Sequence, residues 1–184
     1  MVFGRLLVVI TLLSIVCSCA PIRGNVELAD IRVAVIPVEN FSSDTLAGEK
    51  IRRMVVQELV RRNVEVVEIG EVDRVMEEEG LTDIKTLGQG ALMKLTHLLK
   101  VNYIIKGAVF SYDMGRLGDT LYPSVALNLT LINNEGKVVA SVIDTEGGPS
   151  VMTLYFGTYP EPPSEVAKRV VSRVLDKLFE KRRQ

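Results

Sequence analysis

The sequence predicts an α/β (α+β) domain, in which one mixed sheet of about five strands is flanked by helices in a two-layer or three-layer sandwich. A nearly continuous aliphatic run at Ile31–Val38 is typical of a strand buried on both faces. A β-hairpin is predicted after Tyr122, where apolar residues alternate strictly, a turn follows at 133–136 and a second apolar run extends to Thr145. Apolar residues four apart up to Arg62 predict an amphipathic helix. Strands and helices therefore share one chain of single-domain length.

The remaining elements are placed by the same periodicities and by turn and capping residues. Gly107 inside a predicted strand indicates a close backbone approach or a bulge, and Ser164 is a suitable N-cap for the last helix. The predicted elements are a strand at Val64–Ile69, a short helix after Gly70 that ends at Gly80, a leucine-striped helix over 92–99, a strand at Asn102–Tyr112 and a helix from Ser164 onward.

One apolar segment, Val151–Tyr159, admits two interpretations. As a weak strand over Val151–Phe156 it would belong to the sheet and the core, which is the placement we expect. As a surface segment it would instead expose one methionine and three aromatic rings, a composition enriched at protein interfaces. A sheet edge open to strand addition is a second candidate contact.

Composition excludes several classes of function. The 184 residues are 47% hydrophobic and 24% charged, which allows a sizeable core. Residues 1–18 contain one charge, Arg5, so the rest of the chain has 21 basic and 23 acidic residues, a net charge of −2. Without a basic excess we predict no nucleic-acid partner. The single histidine, His97, has no identifiable catalytic partner, and we predict no enzyme activity, no cofactor and no metal site.

The amino terminus has the organisation of a signal sequence. After Arg5, the apolar run Leu6–Val16 would span roughly 16 Å as a helix, well short of a ~30 Å hydrocarbon core. This length favours a cleaved signal over a permanent transmembrane helix.

The apolar run ends in Val16-Cys17-Ser18-Cys19, which supplies an aliphatic residue, a tolerant position, a small residue and a cysteine. These four residues resemble the lipobox of bacterial lipoproteins. The resemblance implies a signal peptide over 1–18, diacylglycerol on Cys19, a lipidated tether over 19–30 and a single domain over 31–184. Ala20 after the cysteine implies the outer membrane, with the domain facing the periplasm. An ordinary signal peptide or an uncleaved anchor is the alternative.

Four segments between Ile31 and Ser141 carry a second resemblance: IRVAVIPVENFSSDT, MVVQELVRRNVEVVEIGEVDRVMEEEGL, LLKVNYIIKGAVFSYD and VALNLTLINNEGKVVAS. In this order they resemble the small periplasmic lipoproteins related to CsgG, LpoB and the TolB amino-terminal domain.

This resemblance implies an accessory or assembly lipoprotein that acts through protein contacts, with envelope proteins as partners. Homo-oligomer formation and a subunit role in a CsgG-like export complex form the first alternative, and an LpoB-like activator of cell-wall synthesis forms the second. CsgG-type channels insert long amphipathic strands at two places. The corresponding segments of this chain are too short for such strands; they are Met114–Leu121 and Gly147–Pro160. We therefore expect no pore from this chain alone.

Overall fold

The computed structural model describes residues 31–181, and these form one six-stranded sheet with five α-helices. The strands are β1 Arg32–Val35, β2 Glu39–Asn40, β3 Glu65–Val66, β4 Tyr103–Leu117, β5 Thr120–Asn133 and β6 Val138–Gly147. Within the sheet they run in the order β3-β1-β4-β5-β6, and β2 lies beside β4. The helices are α1 Ala47–Arg61, α2 Ile69–Glu78, α3 Gln89–Leu98, α4 Val151–Phe156 and α5 Pro163–Lys181, with a 3₁₀ turn at Ile84–Thr86.

The sheet is mixed, as predicted. β1 pairs in parallel with β3 and β4, and β2 pairs in parallel with β4, whereas β4, β5 and β6 form an antiparallel meander. Parallel strands need long connections, which helices provide here. Antiparallel strands can be joined by tight turns, as in the meander. The predicted α+β class is therefore confirmed.

The helices cover both faces of the sheet at one end. Val33 and Val35 point into a large core with α1 and α5, while Ala34 and Ile36 point into a smaller core with α2 and α3. This alternation explains why the first aliphatic run has no polar face. At the β1 end, the domain is a three-layer sandwich.

The first strand is shorter than the sequence predicts. The pairing breaks at Ile36–Val38, which contains Pro37, and resumes at β2. At the break, the buried side chain of Arg52 donates from Nε to the carbonyl oxygen of Val35, 3.0 Å away. Its Nη1 and Nη2 atoms lie 3.0 and 2.8 Å from the carboxylate of Asp73 on α2. Arg52 thus links α1, the end of β1 and α2.

The strand predicted over Asn102–Tyr112 is longer in the structure, where it forms a hairpin with β5. β4 continues to Leu117 and β5 begins at Thr120. A two-residue turn joins them, and in this turn Gly118 adopts a φ of 60°. A register shift lies between Val109 and Ser111. Gly107 is a close approach and not the bulge, because a Cβ atom there would lie 2.8 Å from Cδ2 of Leu129.

Two further strand predictions differ from the structure. Only Glu65–Val66 of the predicted Val64–Ile69 strand pairs, since α2 already begins at Ile69. The weak strand predicted over Val151–Phe156 is wrong, because this segment is helix α4. Ser150 caps α4 by accepting a hydrogen bond from the Thr153 amide at 3.0 Å, and left-handed Gly157 ends it.

Candidate functional site

The outer strand β6 presents an open edge. Its inner side pairs with β5 from Gly147 to Val138, and within residues 31–181 no strand pairs with its outer side. Ile143 is 66% exposed and Val138 64% exposed, while Ala140 and Val142 point into the core. The strand is ten residues long and contains neither proline nor lysine. Its exposed backbone groups therefore offer a template for another strand.

The acidic side chains of β6 do not protect this edge, because α5 engages them. Arg173 donates to Asp144 at 2.8 Å and to Glu146 at 2.6 Å, and Arg169 also donates to Glu146 at 2.6 Å. Burial alone would raise the pKa of Glu146, but these guanidinium groups hold it below its usual value. The carboxylates of Asp144 and Glu146 therefore hold α5 against the sheet.

A second candidate contact lies where the hairpin turns. We call it the tip surface; it consists of Leu117 and Leu121 from the hairpin, helix α4 and Tyr159. Tyr155 is 79% exposed, Phe156 71% and Tyr159 100%. The segment that we expected in the core is instead exposed, and the alternative interpretation of Val151–Tyr159 is the correct one. Its short apolar pattern suits a strand or a helix equally, so periodicity alone could not decide.

A cleft of about 460 Å³ separates α4 from the sheet. Leu121 and Pro123 line it on the strand side, and Met152 and Tyr159 line it on the helix side. Arg169 lies at its rim and donates to Glu161 at 2.7 Å, which fixes the chain just after the tip surface. The hairpin end and α4 are therefore neighbours at one end of the sheet.

The polar loop after β2 is ordered by its own side chains. The Asn40 amide donates to the carbonyl oxygen of Asp44 at 2.7 Å, and Lys50 donates to the Asp44 carboxylate at 2.6 Å. The hydrogen bond from Lys50 lowers the pKa of Asp44. Lys50 also lies 5.3 Å from the ring centroid of Tyr112, at the wall of an open groove of about 620 Å³. The paired charges give this loop a structural role.

The described part of the chain offers no group of three or more His, Cys, Asp or Glu side chains arranged to hold a metal ion. His97 lies exposed on α3. Over residues 31–181, no helix combines the length and the apolar character that crossing a membrane would require. Cys19, the signal peptide over 1–18 and the tether over 19–30 lie outside the described residues.

Comparison with known proteins gives one family and several similar folds. Residues 30–120 match the sequence model of CsgG, described as a curli production assembly/transport component. No curated protein sequence matches the chain.

Two solved structures share the fold, and a third is more distant. The PelC dodecamer from Paraburkholderia phytofirmans is 20% identical, with 82% of this chain and 88% of that chain covered and a TM-score of 0.57. Lipoprotein GNA1162 from Neisseria meningitidis is 17% identical, with 82% and 99% covered and a TM-score of 0.59. The LpoB C-terminal domain from Salmonella enterica is 15% identical, with 63% and 82% covered and a TM-score of 0.48.

The family match covers the first three of the four segments that carry the sequence resemblance, from β1 to the end of β4, and stops before the fourth, residues 125–141. The PelC and GNA1162 structures share the fold over most of the described domain. The predicted resemblance is confirmed by the match to the CsgG model over residues 30–120 and by the fold that the chain shares with PelC and GNA1162.

Proposed function

We propose that the protein is a lipid-anchored accessory or assembly protein of the bacterial envelope, which acts through contacts with other proteins. Cys19 carries the anchor after removal of residues 1–18, and the domain faces the periplasm from the outer membrane. The lipobox-like sequence supports the anchor, and the description of the matched family supports an assembly or transport setting. GNA1162, which has a similar fold, is itself described as a lipoprotein.

The observation that carries this proposal is the open edge of β6. An edge strand of ten residues without charge protection on its outer side is an aggregation hazard unless a partner covers it. Strand addition would satisfy its backbone groups, and the exposed Ile143 would supply an apolar contact. The edge therefore suits a protein partner better than a small substrate.

Changing the edge tests the proposal. In Ile143→Lys a charge is placed on the edge, so we expect the complexes of the detergent-extracted protein to dissociate, measured as mass by light scattering after gel filtration. Val60→Lys on α1 is the matched control, because Val60 is also a β-branched residue and is 58% exposed. A wild-type protein that stays monomeric and captures no envelope protein by crosslinking would refute the role of the edge.

The anchor is tested separately by the intact mass of membrane-extracted protein. The expected species starts at Cys19 and carries acyl mass, and Cys19→Ala abolishes both cleavage and acylation. An unmodified wild-type chain would remove the anchor from the proposal and leave the edge contact to be judged on its own.

A subunit role in an oligomeric export complex is the second candidate. The PelC structures with a similar fold are dodecamers, and the matched family is described as an assembly/transport component. Ring-shaped particles in detergent together with conductance in planar bilayers would favour this role. Rings without conductance would favour assembly.

A further inference from the structure

The open groove of about 620 Å³ beside Tyr112 is formed by four parts of the chain: the loop after β2, helix α1, strand β4 and the first turn of α5. We propose that this groove binds an arginine side chain of a protein partner, held by Asp113 and Tyr112. The inference rests on the proposed function, because it names the chemistry by which a partner is recognised. It is carried by a buried hydroxyl group, a carboxylate without a cation and an apolar wall.

Tyr112 supplies the buried hydroxyl group. The residue is only 6% exposed, and its ring belongs to the large core with α1 and α5. The hydroxyl group has no hydrogen-bond partner within residues 31–181, yet its oxygen is not sealed from solvent. Tyr112 lines the groove, so the groove is the opening that reaches this oxygen. Because a buried tyrosine hydroxyl normally finds a partner, a ligand in the groove is the group that would supply one.

The charges around the groove leave one carboxylate without a counterion. Lys50 is paired with Asp44, and 2.6 Å separate Nζ from Oδ2. Asp113 has no ion pair within the described domain, and its two hydrogen bonds, both from serine hydroxyl groups, are 3.4 Å long. Good hydrogen bonds between oxygen atoms are about 2.5–3.0 Å long, so this carboxylate is poorly satisfied. Two carboxylates against one ammonium give the groove a net charge of −1, which favours a cationic ligand over an anionic one.

The apolar part of the wall suits a long basic side chain. Met54, Met114 and Pro163 border the groove. Methionine side chains adapt to irregular shapes, and the stems of lysine and arginine pack along apolar surface while their charged ends reach polar groups. A guanidinium group has five donors, enough for the Asp113 carboxylate and the Tyr112 hydroxyl group, and it is less strongly hydrated than an ammonium group. Arginine therefore fits the groove better than lysine does.

The shape of the groove favours a residue within a protein chain over a free small molecule. Small-molecule pockets bury most of the ligand surface, whereas this groove is wide open to solvent. The opening leaves room for the backbone on either side of a bound arginine. β5 separates β4 from the open edge of β6, so a partner bound at the groove leaves that edge free.

The test measures how tightly the full-length protein, in dodecyl maltoside micelles, binds N-acetyl-arginine amide (capped arginine) in ligand-detected NMR titrations. Capped citrulline is the matched probe, because its urea group has nearly the shape of a guanidinium group without the charge. We expect capped arginine to bind about tenfold more tightly than capped citrulline. Asp113→Asn should remove this preference, and Tyr112→Phe should weaken arginine binding about threefold through loss of one hydrogen bond.

Asp119→Asn is the matched control variant. Asp119 is exposed in the turn between β4 and β5, lies outside the groove and, like Asp113, has no ion pair among the described residues. This substitution should leave the preference for arginine unchanged. Thermal unfolding verifies that all three variants are folded.

Several outcomes would overturn the proposal. They are equal binding of the two probes by the wild type, a preference for arginine that survives in Asp113→Asn, and unchanged arginine binding in Tyr112→Phe. Tighter binding of free arginine than of capped arginine would assign the groove to a free amino acid. Tighter binding of capped aspartate would assign it to an acidic group held by Lys50, and either result would contradict the proposal.

The groove and the open edge of β6 fail or succeed independently. Ile143→Lys reports the edge contact, and Asp113→Asn reports the groove. Complexes that dissociate in Ile143→Lys, together with equal binding of the two probes, would refute the groove and leave the proposed function intact. A preference for arginine in a protein that forms no complexes through β6 would refute the role of the edge alone.

Discussion

At the β1 end of the sheet, helices lie on both faces, and Val33 and Ala34 are completely buried on opposite sides. At the hairpin end, α5 still covers one face near Val125, but no helix of the described domain covers Ser111, Ser124 or Ala126 on the other face. Stability is concentrated at the first end, and exposed apolar surface is concentrated at the second. A single sheet thus combines a rigid support with a contact surface.

A large loss of stability is expected at the helix-covered end, where one buried side chain links three elements. Arg52→Ala leaves the Val35 carbonyl oxygen without its donor and removes the partner of Asp73. Breaking a buried ion pair costs about 3–5 kcal/mol, and since Asp73 is half-exposed, we expect the lower part of this range. Urea denaturation of Arg52→Ala and Asp73→Asn measures it. A loss below about 1 kcal/mol in Arg52→Ala would show that this contact does not support the covered end.

The comparison is sharpened by two equal truncations. Leu129 is fully buried and Leu154 is 50% exposed. We expect Leu129→Ala to lower the free energy of unfolding by about 2–5 kcal/mol, whereas Leu154→Ala should stay within about 0.5 kcal/mol. Thermal unfolding of the two variants measures the difference. Equal losses would mean that α4 contributes to the folded core, contrary to its exposure.

A smaller effect than that of Leu129→Ala depends on pH and lies between α1 and α5. Hydrogen bonds from Arg61, Arg62 and Ser172 lower the pKa of Glu58 to about 2, against partial burial that would raise it. Because the folded-state pKa lies below the ordinary value of 4.5, Glu58 stabilises the fold above pH 4.5. This contribution is lost as the pH falls toward 2.

We expect the Glu58 contribution to be about 1–2 kcal/mol, because Arg61 is largely exposed and its attraction is screened. Denaturation of wild type and Glu58→Gln at several pH values measures it. The difference in stability between the two proteins should shrink between pH 4.5 and pH 2. A difference that stays constant over this range would assign the Glu58 effect to packing.

The elements with a clear period were predictable from the sequence. The helix that contains Ile51, Val55 and Leu59 and the alternating strand from Val125 to Leu131 are present as expected, because each buries one regular face. Helix α4 was mispredicted, since a six-residue apolar run has no period long enough to separate helix from strand.

The sequence predicted that the sheet would have an open edge, but not which strand would form it. The sequence indicated that a sheet edge would exist, but strand order depends on long-range pairing that local patterns do not encode. The tip surface depends on tertiary placement in the same way. Leu121 and Met152 are about thirty positions apart and become neighbours only in the folded sheet.

The pairing of β1 with β4 has a consequence for how the protein folds. Val33 pairs with Tyr103, seventy residues later, whereas β4, β5 and β6 are joined by two short turns. Local pairings form faster than pairings that must close long loops. We therefore expect the meander to form first and β1 to dock late, between β3 and β4. For a chain that crosses a membrane unfolded with its amino terminus leading, the first strand to emerge would be among the last to reach its place.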